Sequence, residues 1–182
     1  MTNGGADWRS DVLKYWFGLA PDRRWKRDDA LDAEIGERFH DLWTDQRQLP
    51  ASSFTADPLI ALAGVILFDQ FPRNMFRGHA EQFATDALAL GIARAAVDAK
   101  LDGALARQER GFLYMPFEHS EDLADQRRSV ALFTALGDDY LLGFAQKHHD
   151  VIARFGRFPH RNAILGRAPR VDETAAGNVV PW

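Results

Sequence analysis

The chain has 182 residues, and its 22 lysines and arginines against 26 aspartates and glutamates give a net charge of −4 at neutral pH. A chain of this length can bury a sizeable core, so we expect a single domain over residues 1–182. The acidic balance makes nucleic acids and membrane surfaces unfavourable partners. Because the chain contains no cysteine, disulfides, thiolate metal sites and cysteine nucleophiles are excluded.

The compartment is predicted from what the sequence lacks. Residues 1–11 are polar and contain no apolar stretch of signal-peptide type. The most apolar run, residues 59–68, has about half the length that a membrane-spanning helix needs. These features predict a cytoplasmic protein.

Hydrophobic residues recur at helical spacing, and no segment shows the alternation typical of a half-buried strand. The first two predicted helices cover residues 11–17 and 31–42. Asp57 and Pro58 predict the start of a third, because an aspartate cap followed by proline is a typical helix start. This third helix extends through residue 68 and is apolar nearly all round, so we expect it to pass through the centre of the fold.

Three further helices are predicted in the second half of the chain. They cover about residues 85–100, residues 120–136 with Ser120 as the cap, and a segment that begins at Asp138 or Asp139. Gly156 is expected to end the last of these. From Arg167 onward the tail is polar and ends at Trp182. The pattern predicts an all-α domain of antiparallel helix pairs.

Two segments that follow predicted helices have similar compositions. Residues 69–78 read DQFPRNMFRG and residues 155–162 read FGRFPHRN. In each, we expect the proline to end the preceding helix and to hold its neighbour extended. The planar arginine side chain suits bidentate binding of a carboxylate or phosphate. If the segments lie side by side, they predict an anion site with these candidates: Asp69, Arg73, Asn74, Arg77, Arg157, His160, Arg161 and Asn162. The alternative is that the arginines pair with helix carboxylates and stabilise helix ends.

A third segment, residues 109–122, is aromatic-rich and contains Pro116. We expect Pro116 to break it and to deliver Glu118 and His119 to the start of the next helix. A histidine beside carboxylates suits general acid–base chemistry, although the following acids, Glu121 and Asp122, are also typical of residues that complement a helix dipole.

His148 lies on the apolar stripe of the last long helix. It is interpreted either as a core histidine with satisfied hydrogen bonds or as a neutral imidazole near the site. The candidate catalytic residues are therefore Glu118, His119 and His148. A metal site built from the same three residues is a further alternative, but the sequence has no recognised metal-binding motif. No metal or cofactor is therefore predicted.

Several of these motifs together resemble a known family. Residues 67–74, 112–122 and 155–162, with the YWFG stretch at 15–18, resemble the bacterial domain-of-unknown-function family 924. The resemblance extends over about residues 12–167. It implies a single α-helical domain of the tetratricopeptide-like superfamily in the bacterial cytosol, and it implies no established activity. Residues 168–182 depart from the family pattern, because they show little apolar periodicity to support a closing helix.

Two functional hypotheses follow. The first is a site for a small anionic ligand, with or without catalysis, between the three segments. The second is a protein-interaction module that holds a peptide partner in a groove and has no enzymatic activity, which follows from fold analogy alone. The sequence does not decide whether the protein is an enzyme.

Overall fold

Helices account for most of the computed structural model, which describes residues 7–181. No strand occurs within these residues, so the all-α prediction is confirmed. The tetratricopeptide-like arrangement of the helices stays an expectation from the resemblance. The α-helices are α1 (Trp8–Gly18), α2 (Asp29–Gln46), α3 (Pro58–Val65), α4 (Phe71–Met75), α5 (Asp86–Asp98), α6 (Arg107–Glu118), α7 (Leu123–Leu136), α8 (Asp139–Phe155) and α9 (Val171–Ala176).

Helix α3 lies at the centre of the fold, as its composition predicts. Asp57 caps it, because one carboxylate oxygen accepts hydrogen bonds from the backbone N–H groups of Leu59 and Ile60, both at 2.9 Å. Residues 61–65 are buried, and the helix contacts α1, α5 and α6. The apolar side chains of residues 61–65 therefore find packing partners on every side of the helix.

The chain does not leave the helical conformation after α3. A π-helical turn (Ile66–Gln70) joins α3 directly to α4, and Phe71 keeps helical angles of φ −59° and ψ −39°. Pro72 lies in the first turn of α4, where a missing N–H costs nothing. The prediction that this proline ends the preceding helix and holds its neighbour extended is therefore wrong.

The segment around Pro116 also differs from its prediction. Helix α6 continues through Pro116, Glu118 is its last residue, and the backbone N–H of His119 still bonds to the carbonyl of Met115 at 3.0 Å. Glu118 and His119 thus lie at the C-terminal end of one helix and not at the start of the next. The packing of residues 111–118, all of which are buried, outweighs the local preference of one proline.

The next helix begins later than predicted. Asp122 caps α7, since its side chain accepts from the N–H groups of Ala124 at 2.7 Å and Asp125 at 3.3 Å. Ser120, the predicted cap, instead donates from its hydroxyl to the carboxylate of Asp125 at 2.7 Å. The cap is the residue whose extended backbone aims its side chain at the first turn, and here that residue is Asp122.

The boundaries of α8 follow the sequence signals. Asp138 accepts from the N–H of Leu141 at 3.1 Å, and Gly156 ends the helix with φ +66°, a conformation that glycine adopts at no steric cost. Phe158, which precedes Pro159, is extended as predicted.

The polar tail contains the short helix α9. It is attached by Glu173, which accepts hydrogen bonds from Arg157 Nε at 2.6 Å and Asn162 Nδ2 at 2.9 Å. This buried polar contact explains how the segment docks although it lacks an apolar stripe. The last residue of the tail, Trp182, lies outside the described residues.

Candidate functional site

A cavity of about 730 Å³ lies where the three predicted segments meet. Its walls come from the π turn and α4, the C-terminal end of α6, helix α8, and the turn around Pro159. The polar side chains that line it are Gln70, Arg73, Arg77, Gln82, Glu118, His119, His148, His160 and Arg161. The fold thus brings together polar residues that are up to 91 positions apart in the chain, from Gln70 to Arg161.

His119, on the cavity wall, forms a hydrogen-bonded pair with Asp69, which does not line the cavity. Asp69 is fully buried, and its Oδ1 lies 2.8 Å from His119 Nδ1. Burial alone would raise the pKa of Asp69, but the positive charge of Arg73 and the contact with His119 lower it to about 2. Because an ionised carboxylate only accepts hydrogen bonds, we assign the proton of His119 to Nδ1 and the lone pair to Nε2.

His119 is held in its neutral form. Burial and the nearby Arg73 lower its pKa, and the negative charge of Asp69 opposes this effect only in part. Gln70 holds the second carboxylate oxygen of Asp69 by donating from Nε2 at 2.6 Å. The imidazole is therefore oriented and neutral at neutral pH, with a free lone pair on Nε2, which is the state that a proton acceptor requires.

Glu118 and His148 form a second polar pair. His148 Nδ1 lies 2.8 Å from the carbonyl oxygen of Phe144 and 3.2 Å from Glu118 Oε1. A carbonyl can only accept, so Nδ1 carries the proton and donates to both oxygens. Burial, and then the positive charge that His119 can carry, lower the pKa of His148 to about 3. The rings of His119 and His148 have their centroids 6.2 Å apart.

The carboxyl group of Glu118 is protonated at neutral pH. Only 8% of Glu118 is exposed. This burial, reinforced by the negative charge of Asp69, raises its pKa to about 8. Since Oε1 faces the donor on His148, we assign the proton of the carboxyl group to Oε2. Glu118 is therefore a hydrogen-bond and proton donor at the pH where His119 is an acceptor.

The arginines of the cavity differ in how far they are paired. Arg73 forms two hydrogen bonds with Asp86, at 2.9 and 3.1 Å, and lies 3.3 Å from Asp69. Arg77 forms two with Asp32, at 2.6 and 2.9 Å. For these two residues the alternative interpretation, pairing with helix carboxylates, describes the observed contacts.

Arg161 is paired much less completely. Its Nη1 reaches Asp86 only at 3.5 Å, and its Nε, although buried, has no hydrogen-bond partner among residues 7–181. The guanidinium lies 4.5 Å from the ring centres of both Phe83 and Phe158. Burial and the repulsion of Arg73 lower the pKa of Arg161 to about 10, so it stays cationic at neutral pH.

The remaining predicted residues lie in three places. His160 lines the cavity, and burial followed by the charge of Arg161 lowers its pKa to about 4. Asn74 does not line the cavity and donates to Asp32 at 2.8 Å. Arg157 and Asn162 bond to Glu173 and so attach α9 to the rest of the fold.

Asp86, Trp25 and Tyr140 are among the residues of the site that were not predicted. Asp86 links Arg73 to Arg161, yet in the sequence it is indistinguishable from any acidic residue in the first turn of a helix. Trp25 and Tyr140 lie on the cavity wall with exposed fractions of 50% and 65%. Trp25 sits in a short basic stretch that is typical of a solvated loop, so no signal in the sequence identifies it.

The residues that form the cavity offer no grouped metal ligands. Within residues 7–181, no three histidine, aspartate or glutamate side chains are arranged as a metal site would require. Over the same residues, no helix is long and apolar enough to span a membrane.

The fold and the cavity define a helical protein in which a glutamate, a histidine and an arginine that are largely buried lie at one site. The family of bacterial proteins of unknown function called DUF924 matches residues 12–176, and the chain belongs to that family. A solved structure, described as that of the protein of unknown function ATU0120 from Agrobacterium tumefaciens, is similar to it. The two are 38% identical with a TM-score of 0.84, over 92% of this chain and 95% of that chain. No curated protein matches the chain.

Proposed function

We propose that the protein binds a small organic anion in this cavity and exchanges protons with it through His119 and Glu118. The observation that carries the proposal is Arg161, of which only 7% is exposed. Two aromatic faces hold the plane of its guanidinium, while its Nε has no hydrogen-bond partner in the described part of the chain. A buried guanidinium that is held flat and weakly engaged suits the charge-assisted hydrogen bonds that a carboxylate or phosphate accepts.

The charges around the cavity support an anionic ligand. Two arginines, Arg73 and Arg161, face two carboxylates, Asp69 and Asp86, within 3.5 Å. Asp86 is already engaged by two hydrogen bonds from Arg73, so it satisfies Arg161 only weakly. An anion that docks on the guanidinium of Arg161 supplies a closer acceptor than Asp86 does, and a proton taken up by His119 balances its charge.

The protonation states support acid–base chemistry on that ligand. The pKa of His119 is lowered and the pKa of Glu118 is raised, by burial first in both cases. At neutral pH His119 is therefore neutral and can accept a proton, and the neighbouring Glu118 is protonated and can donate one. General acid–base catalysis uses this combination. Asp69 keeps the lone pair of His119 on Nε2 by accepting from Nδ1.

Native mass spectrometry of the purified protein tests binding, because it reports a retained small molecule directly. We expect an added mass on the wild-type protein that is lost in Arg161→Gln. The matched control is Arg127→Gln, which removes the same charge from an exposed position on α7 and should leave the added mass unchanged.

A second measurement covers a ligand that is lost during purification. Acetate and inorganic phosphate, used as probe anions, should shift the imidazole NMR signals of His119 in a saturable way, and Arg161→Gln should abolish the shift. If no mass is retained and neither anion produces a saturable shift, or if Arg161→Gln behaves like the control, the proposal is refuted. Circular dichroism confirms that each variant is folded.

A further inference from the structure

The cavity is charged in one part and apolar in the rest. The polar side chains contact one another, from His119 through Asp69, Arg73 and Asp86 to Arg161. The remaining walls consist mainly of aromatic and aliphatic side chains: Trp25, Phe83, Met115, Tyr140, Leu141 and Phe144. A ligand that filled the cavity would therefore bury most of its surface against apolar groups.

A second hollow, of about 410 Å³, adjoins the cavity. The two share four wall residues, Trp25, Met115, Tyr140 and Leu141. None of the residues from Asp69 to Arg161 that form the charged cluster lines the second hollow. The apolar space thus extends away from the cluster, past the exposed aromatic side chains of Trp25 and Tyr140.

The charged groups of the second hollow are already engaged. Arg107 donates to the carbonyl oxygen of Gly137 and lies 3.8 Å from the carboxylate of Asp138. The Arg107 side chain is 56% exposed, so water screens the part of its charge that Asp138 leaves unpaired, and it attracts a second ionic group of a ligand less than the buried Arg161 does. In the main cavity, Arg73 and Arg77 are likewise paired, by Asp86 and Asp32.

We infer that the ligand is an organic monoanion with an extended apolar body, whose acidic head lies at Arg161 and whose body lies along Phe144 and Leu141 toward Trp25 and Tyr140. This inference rests on the proposed function and adds the chemical class of the ligand. One incompletely paired cation matches one negative charge, and the apolar walls match a hydrocarbon or aromatic body. A compact dianion would bring a second charge to arginines that are already paired.

Calorimetric titration with straight-chain carboxylates of four, six, eight and ten carbons tests the inference, with each probe kept below its micelle concentration. Each methylene that enters the apolar part should tighten binding about fourfold, since burial of a methylene contributes about 0.8 kcal/mol. Arg161→Gln should weaken every member of the series by a similar factor, about tenfold or more, because it removes a charge-assisted hydrogen bond.

Variants of the apolar wall distinguish the contribution of the ligand's apolar body to binding from that of its acidic head. Phe144→Asn should flatten the dependence on chain length while it leaves the affinity for the four-carbon acid nearly unchanged. The matched control is Leu59→Asn, which changes a half-exposed apolar residue on α3 that does not line either hollow and should leave the whole series unchanged.

The possible failures are distinguishable. If all chain lengths, or inorganic phosphate, bind equally well and depend on Arg161, the inference is overturned and the proposed function stands. If octan-1-ol binds as tightly as the eight-carbon acid and Arg161→Gln has no effect, the cavity is apolar but not an anion site, and both are refuted. Absence of binding for the whole series at millimolar concentration also refutes both.

Discussion

Replacement of Glu118 by glutamine should change how stability depends on pH. The pKa of Glu118 is raised by burial from an ordinary value of 4.5 to about 8 in the folded protein. Between these two values the folded chain holds a proton that the unfolded chain releases, so the free energy of unfolding falls as pH rises and levels off above about pH 8. Each pH unit corresponds to about 1.4 kcal/mol, so Glu118 destabilises the fold at high pH by roughly 5 kcal/mol at most.

Glutamine keeps the shape of the protonated side chain and an oxygen that accepts from His148, but it cannot ionise. Near pH 4.5 the Glu118→Gln variant should be about as stable as the wild-type protein, and at pH 9 it should be more stable by several kcal/mol. Urea unfolding followed by fluorescence measures the difference, since the chain has five tryptophans.

The comparison with Glu118→Gln needs a control for the loss of one negative charge. Glu81→Gln supplies it, because Glu81 is exposed on the surface, and this variant should follow the wild-type protein at every pH. If the stability difference between Glu118→Gln and the wild-type protein is the same at pH 5 and pH 9, then Glu118 is not protonated in the folded protein. The assignment of an acid beside His119 would then fail.

Three further variants test other parts of the structure. His148→Leu should recover roughly 3 kcal/mol of the stability that the wild-type protein loses between pH 7 and pH 4. The pKa of His148 is lowered by burial to about 3, so as the pH falls the unfolded chain takes up a proton there that the folded chain does not. If urea unfolding shows the same loss of stability between pH 7 and pH 4 in the variant and the wild-type protein, this reasoning is contradicted. Asp57→Ala should lower the free energy of unfolding by about 1 kcal/mol because two backbone N–H groups lose their acceptor, whereas Asp57→Asn should lose less. Arg157→Ala should expose the tail after residue 168 to limited proteolysis, because α9 loses its contact with Arg157. The same variant should leave binding of the probe anions unchanged. Loss of anion binding while the tail is still protected would show that Arg157 belongs to the site.

The boundaries that the sequence predicts correctly depend on contacts within a few residues. Asp57 and Asp138 each bond to backbone N–H groups two or three residues further along, and Gly156 adopts a conformation that other residues rarely take. These signals act locally, so they can be identified without knowing the rest of the fold. Proline is the exception, because Pro72 and Pro116 both lie within helical segments. Position within a turn and burial of the surrounding helix decided those two cases.

By itself, the sequence determined that the chain is helical and where several helices begin and end, and it singled out three segments whose residues meet at the cavity. It also determined the family to which the chain belongs, through motifs long enough to be specific. The sequence could not determine which arginine is left without a close carboxylate partner. Arg73, Arg77, Arg157 and Arg161 all lie within three residues of a phenylalanine, yet the first three pair with carboxylates at 2.6–2.9 Å, whereas Arg161 reaches Asp86 only at 3.5 Å.

Only the tertiary structure decided how each arginine is paired, because the contacting residues are far apart in the chain. Asp69 meets His119 across 50 positions of the chain, and Asp86 meets Arg161 across 75. Burial then decides the protonation states, because a carboxyl group removed from water resists ionisation unless a cation compensates it. Asp69 has such compensation from Arg73 and stays charged, whereas Glu118 lacks enough of it and holds its proton. Two carboxyl groups with the same chemistry thus differ in charge because of their places in the fold: Asp69 is ionised and Glu118 is neutral.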